Sequence, residues 1–268
     1  MRPLRVLHDC FPDDPGLDAA VSRAVMHRVA RGALPETLRM ARPAAVVAFA
    51  KRDALSPGYS QALAAARAGG FGAIIRLAGG RAAVFHEGTL ELAHAVPDPD
   101  PKPGIHERFE ATATLISRAL RALGVDARVG EVPGEYCPGR WSVNAAGARK
   151  LAGTGQRVVA GGSHTGAVIV VDGAERVRSV LEPVYAALGL EWDPETVGAV
   201  EDELDGGRSV SGAAEPSASG APLWDAVRDA LLAEYARRFE LVPGELDDET
   251  LALAHRLAGE HRPPAQAA

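Results

Sequence analysis

The chain has 268 residues, 47% of them hydrophobic and 24% charged, which is enough apolar material for one large globular unit or two small ones. A formal net charge of −6 argues against a general nucleic-acid binder, whose binding face is basic. Two cysteines, Cys10 and Cys137, are too few for a disulfide framework or a thiolate zinc site, and no window approaches about eighteen uninterrupted apolar residues; no membrane span, no export signal and a reducing cytoplasmic setting are therefore expected.

In chain order, Asp13-Asp14-Pro15 precedes Leu17, Ala20, Val21, Ala24, Val25 and Val29, a helical spacing that stops at Gly32. Ala44–Ala50 reads as a buried strand, and the Ala-rich stretch after Pro57-Gly58 as a helix ending at Gly69-Gly70. Short β-prone runs follow at Ala73–Leu77, Ala82–His86 and Thr89–Val96, separated by Gly79-Gly80 and Gly88. A Pro/Asp loop (Pro97–Pro103) leads to a helix over Ile105–Leu123 with an apolar stripe at Phe109, Leu115, Ile116, Leu120 and Leu123. Trp141–Asp172 reads as short strands broken by glycines, and Ala174–Leu190 as another helix. Strand-rich hairpins flanked by helices predict an α+β fold with a mixed or antiparallel sheet. Residues 205–222, rich in Gly, Ser, Ala and Pro, read as a flexible linker or loop between a catalytic unit (1–204) and a helical extension (223–260). That extension is expected to hold helices at Leu223–Phe239 and Asp247–Leu257, with a disordered tail over 261–268.

Common catalytic signatures fail on their spacing. The lysines lack the glycine context of a phosphate-cradling loop, and no glycine triplet has dinucleotide-binding spacing. His86-Glu87 has no second histidine at zinc-protease distance, and Ser163 lacks the following glycine of a nucleophile elbow. Among the eight histidines none clusters convincingly with another, so no metal is assigned.

Three segments carry chemistry. In Gly134-Glu135-Tyr136-Cys137-Pro138-Gly139 a cysteine sits between glycines in a turn, which reads as an accessible nucleophile or as a small residue in a tight bend. Only three of the 29 basic residues are lysine, and one of them, Lys150, lies inside Gly147-Ala148-Arg149-Lys150-Leu151-Ala152-Gly153-Thr154-Gly155-Gln156-Arg157. There it either points its ammonium at a carbonyl or phosphate or faces solvent on a hairpin. Arg76-Leu77-Ala78-Gly79-Gly80-Arg81-Ala82-Ala83-Val84-Phe85-His86-Glu87-Gly88 sets paired glycines between two strands, a groove for an extended chain or a plain turn.

In this order the three segments resemble the lipoate-protein ligase and octanoyltransferase superfamily, whose fold is shared with biotin protein ligase. Arg76, Gly79, Gly80, Arg81, Ala82, His86 and Glu87 match the family's R-x-x-G-G-(G/R)-A-V-x-H-(D/E) signature, with Ala83 as a departure and one extra residue before the histidine. Gly147, Lys150, Leu151, Gly153, Gly155, Gln156 and Arg157 match G-x-K-(I/L)-x-G-x-(A/G)-Q-(R/K), with one extra residue before the lysine. The cysteine segment is similar to that of the octanoyltransferase and lipoyl amidotransferase branch, which works through an acyl-cysteine.

The resemblance implies Cys137 as nucleophile and Lys150 as the oxyanion-stabilising charge over the acyl carbonyl. It also implies substrate contacts from Arg76, Gly79, Gly80, Arg81, His86, Gly153, Gly155 and Gln156, with His86 orienting or shuttling a proton. The donor it favours is octanoyl acyl carrier protein, with glycine-cleavage H protein as the other candidate, and the acceptor is a lysine of a lipoyl domain or of H protein. No cofactor is required on this reading, and a monomer with no nucleic-acid or membrane partner is expected. Arg76, Arg81, Arg140, Arg149 and Arg157 flank the motifs and offer charge to an acidic partner. Two rivals stay open: an ATP- and Mg-dependent lipoate ligase with Cys137 incidental, and a non-catalytic homologue that binds an acylated protein.

Overall fold

The structure is a computed structural model that describes residues 1–204 and 221–263. Its elements are β1 (Arg2–Leu7), α1 (Pro15–Ala30), β2 (Thr37–Ala41), β3 (Val46–Phe49), α2 (Tyr59–Ala68), β4 (Gly72–Ile75), β5 (Ala83–Phe85), β6 (Thr89–Pro97) and α3 (Ile105–Ala122). After these come β7 (Ala127–Val129), β8 (Val143–Ala145), β9 (Arg149–Val159), β10 (Gly162–Val170), α4 (Ala174–Leu188), α5 (Val200–Leu204), α6 (Ala221–Ala236), β11 (Phe239–Pro243) and α7 (Asp248–Leu257). Asp14 caps α1 by accepting the Leu17 N–H at 3.1 Å, with Pro15 in the first turn, where its missing N–H costs nothing.

An eight-stranded mixed sheet runs β11-β1-β2-β6-β10-β9-β8-β7, and a separate small sheet runs β4-β3-β5. Strand alternation sends the two faces of the large sheet to different partners. Leu38, Met40, Leu90, Leu92 and Ile169 share one core with Ile116 and Leu120 of α3 and Leu231 of α6. On the opposite face β2, β6, β10 and β9 present Arg39, Glu91, Ala93, His164, Gly166, Val168, Gly153 and Gly155, as their pairing register requires. This second face looks toward α1 and the small sheet, and a cavity lies between them.

The α+β fold and mixed sheet agree with the sequence reading, and three details differ from it. The region from Trp141 holds two long strands, β9 and β10, in place of glycine-broken short ones. Their glycines stay in register, Gly155 opposite Gly166 and Gly153 opposite Val168, because cross-strand hydrogen bonds use only the backbone. The second difference is that the C-terminal segment is not purely helical. Phe239–Pro243 forms β11, which pairs in parallel with β1, while α6 packs on α3 and α7 on α1. Strands β1, β2 and β7 are a third difference, too short or too irregular in pattern to be read from sequence. Of the predicted linker, 205–220 lies outside the described residues, as does 264–268 of the tail; His261 at the tail's start is buried, its Nδ1 at 2.8 Å from the Ile75 carbonyl.

Candidate active site

Cys137 sits in the loop between β7 and β8 with φ at +42°, a left-handed conformation that costs a non-glycine residue about 1–2 kcal/mol. Three hydrogen bonds hold it there. The Cys137 N–H donates to the Tyr185 hydroxyl at 2.8 Å, which in turn donates to the Ala82 carbonyl at 2.9 Å, and the Cys137 carbonyl accepts from Lys150 Nζ at 2.9 Å. Burial pushes the Tyr185 phenol well above its ordinary value, so it remains a neutral donor between the two loops.

Lys150, 1% exposed, also donates to the Tyr136 carbonyl at 3.0 Å and to Glu135 Oε1 at 3.2 Å, and lies 4.8 Å over the Tyr136 ring. Glu135 accepts further from the Gly139 N–H at 2.9 Å, the Ser142 hydroxyl at 2.6 Å and the Val132 N–H at 3.3 Å. A buried ion pair whose lone pairs and protons are all used in this way is one of the few kinds that folding tolerates. The scarce lysine therefore ties the cysteine loop together, and its three hydrogens have acceptors on that loop.

The donors facing the sulfur come from the loop between β4 and β5. Arg81 N–H lies 3.2 Å from Cys137 Sγ and Arg76 Nη1 lies 3.8 Å from it. Gly80 has φ at +121°, and a Cβ there would fall 2.9 Å from Sγ, so only glycine fits the backbone this close to the thiol. The Arg81 side chain turns away to Asp53, fully buried, at 3.2 Å; Asp53 also accepts the Ala50 N–H at 2.9 Å.

The cavity, about 320 Å³, is lined at this end by Arg76, Gly79, Gly80, Cys137 and Lys150, with Gly153, Gly155 and Gln156 on β9. A Cβ on Gly155 would meet Ala78 Cβ at 2.9 Å, so the glycine lets the β4–β5 loop rest on the sheet. Gln156 spends its amide on α3, accepting from Arg108 Nε at 3.1 Å and donating to the Ile105 carbonyl at 3.2 Å. Val46, Ile74, Phe85 and Val168 give the middle an apolar wall. Asp18, Ser22 and Glu91 line it where α1 faces β6, and His164 on β10 lines it as well.

The structure thus gathers most of the expected residues at one cavity, with Arg81 reaching the sulfur through its backbone. His86 is the exception, since it is absent from the cavity wall. Its Nδ1 accepts the Gly88 N–H at 3.0 Å, and burial together with the Arg176 charge pushes its pKa down to about 4, which leaves a neutral imidazole inside a turn. Tyr185 and Asp53 were not foreseen, because their roles exist only once α4 and the β3–α2 loop fold against the site. Glu135 lies inside the cysteine motif, where a carboxylate two residues before the cysteine was the available signal. Of the flanking arginines, Arg149 pairs with Glu203 at 2.6 Å, while Arg140 and Arg157 remain exposed. Among the described residues no group of His, Cys, Asp and Glu is placed to hold a metal ion, and no helix is long and apolar enough to cross a membrane.

Comparison with known proteins gives the chain's family. An octanoyl-[GcvH]:protein N-octanoyltransferase of Geobacillus kaustophilus is 29% identical over 147 residues, 55% of this chain and 52% of the relative, so the chain spans about half the length of that relative. A lipoyl-[GcvH]:protein N-lipoyltransferase of Listeria monocytogenes is 25% identical over 205 residues, 73% of this chain and 72% of that one. In fold, a lipoate-protein ligase A crystallised with ATP superposes with a TM-score of 0.73 at 20% identity, over 97% of this chain and 95% of the other. The family model described as the lipoyl protein ligase A/B catalytic domain matches residues 14–199, and to that family the chain belongs.

Proposed function

We propose that this protein is an acyl amidotransferase, which moves an octanoyl or lipoyl group from an acylated lysine of glycine-cleavage H protein, through a thioester on Cys137, to the lysine of a lipoyl domain. The observation that carries this reading is a cysteine sulfur held between Arg81 N–H and Arg76 at one end of an apolar-walled cavity. Sγ attacks the acyl carbonyl, the C–S bond forms, and the C–N bond breaks as the donor lysine leaves with one added proton. The acceptor amine then attacks the thioester, forms the new amide, releases one proton and returns the thiol. Arg81 N–H and Arg76 are the groups placed to stabilise the oxyanion of both steps. Lys150 acts through the cysteine loop, whose carbonyls it holds.

The names of the Geobacillus and Listeria relatives favour H protein over acyl carrier protein as donor. Exchange of one lysine amide for another is close to balanced in energy and needs no activation by ATP. A free thiol at Cys137 requires a reducing setting, which suits the cytoplasm. Exposed Arg140 and Arg157 offer charge to an acidic partner.

The test is to incubate the protein with octanoyl-H protein, without ATP, and weigh it intact. Wild type gains one octanoyl group, Cys137→Ser gains none, and transfer to a lipoyl domain falls by on the order of 10³-fold or more in the variant. ATP-dependent lipoylation that survives Cys137→Ala would instead make the protein a ligase.

A further inference from the structure

The residues that follow α7 reach back toward the thiol end of the cavity. A short 3₁₀ turn, Ala258–His261, continues α7 and packs on α1, with Ala258 buried in the core that α1 shares. Glu260 pairs with Arg23 of α1 at 2.7 Å, and Arg262 pairs at 2.7 Å with Asp14, the residue that caps the same helix. Both ion pairs are partly exposed and weak, so the buried contacts of the turn matter more. The other buried side chain there is His261, 3% exposed.

His261 meets the small sheet at its open edge. In the order β4-β3-β5, β4 is an outer strand with no strand on one side. The Arg76 N–H donates to the Phe49 carbonyl at 2.9 Å on the β3 side. Consecutive residues of a strand turn their backbone groups to opposite sides, so the Ile75 carbonyl points to the open edge. His261 Nδ1 lies 2.8 Å from that carbonyl. A carbonyl only accepts, so Nδ1 carries the proton, and burial keeps the ring neutral by pushing its pKa below the ordinary histidine value. Its Nε2 has no hydrogen-bond partner among the described residues, so the bond to Ile75 is the one polar contact the ring makes.

The next residue after Ile75 is Arg76. Its Nη1 lies 3.1 Å from the Arg81 carbonyl and 3.8 Å from Cys137 Sγ, and a Cβ on Gly155 would lie 3.0 Å from its Nη2. Neither of the two groups facing Nη1 is a carboxylate. A long side chain held at its tip by one neutral carbonyl depends for its place on where its backbone is pinned. We infer that His261 is a positioning residue for the thiol: by closing the open edge of β4 it fixes the backbone from which Arg76 reaches Cys137. The C-terminal turn then belongs to the working site, although the family match ends at residue 199. The inference rests on the acyl-transfer reading for what the thiol does, and not for the approach of Arg76 to Sγ.

The experiment uses the full chain with the exposed Cys10 replaced by Ser, which leaves Cys137 as the one thiol. The first readout is the rate at which iodoacetamide alkylates Cys137; a cation beside a sulfur favours the reactive thiolate, and no acyl substrate is present. The second is octanoyl transfer from octanoyl-H protein. His261→Leu is expected to slow alkylation about 3-fold and to lower kcat about 10-fold with little change in KM. His261→Asn, which carries an amide N–H near the place of Nδ1 and drops the unpartnered Nε2, recovers most of both. In an Arg76→Gln background His261→Leu has no further effect on either readout. Alkylation at the parent rate in His261→Leu, or the same fold-loss with and without Arg76, would overturn the inference. If His261→Leu does not fold, His261→Gln, whose amide reaches toward the place of Nε2 and misses the carbonyl, takes its part in the same comparisons. A parent protein that transfers no octanoyl group while the alkylation pattern holds would sink the acyl-transfer reading and leave the placement of Arg76 by His261 standing.

Discussion

The two ends of the cavity are built on opposite plans. At the thiol end Lys150, Glu135, Tyr185 and Arg76 all have partners within the protein, and a strained cysteine is fixed by bonds from both sides. On the β2 and β6 side Arg39 is saturated and Glu91 is held only loosely, 3.7 Å from Arg39 and 3.5 Å from the Ser22 hydroxyl, while on β10 His164 Nδ1 has no partner among the described residues. The contrast separates what must not move during a reaction from what should respond to a ligand. Preorganised groups accelerate chemistry because no reorganisation accompanies charge development, whereas unmet hydrogen-bonding capacity confers selectivity.

Breaking the rigid end should have the largest effect. Lys150→Met strands the Glu135 carboxylate in a buried site and is expected to destabilise the fold by about 3–5 kcal/mol in urea unfolding. Adding Glu135→Gln should recover part of that loss, and a double mutant less stable than Lys150→Met alone would refute the pairing. Gly80→Ala is next: its Cβ falls 2.9 Å from Sγ at a φ of +121°, so acyl transfer should drop by about 10²-fold through displacement of the thiol. Transfer within a few-fold of wild type would show that Gly80 does not set the position of the thiol.

The smallest effect sharpens the far end. Burial holds the Glu91 carboxyl up to about 7, so the folded protein binds its proton more tightly than the unfolded chain does. Stability from this group is then fully present below about 4.5 and is lost as pH rises through about 7. Glu91→Gln should have a flatter profile and a thermal midpoint above wild type at pH 8, by on the order of a few degrees, with the gap closing toward pH 5. A gap that widens on acidification would reverse the assignment.

Much of the thiol end was legible in the chain because its residues sit in three short motifs with glycines at the points of close approach. Cys137, Gly80 and Gly155 are local signals of this sort. The roles of Tyr185 and Asp53 were not, since each depends on a segment that tertiary packing brings in, and Tyr185 lies 48 positions from its partner. The far end was hidden for a different reason: Arg39, Glu91 and His164 come from β2, β6 and β10 and share no motif, only a sheet face, and Asp18 meets Arg39 from α1. In the fold, helices were readable from their apolar spacing. Glycines in β9 and β10 looked like breaks because spacing alone cannot tell a turn glycine from one that makes room above a strand. His86 shows the converse error, a residue matched to a motif and then found serving a turn.

The pairing of β1 with β11 also sets a clock. Arg2 lies opposite Phe239, so the outer edge of β1 finds its neighbour only after some 237 further residues are made, the difference of the two positions. At typical synthesis rates of about 5–20 residues per second the wait is on the order of ten to fifty seconds. During that interval an unpaired strand edge is open to other nascent chains, and a fragment cut at the boundary of the family match would keep it open permanently.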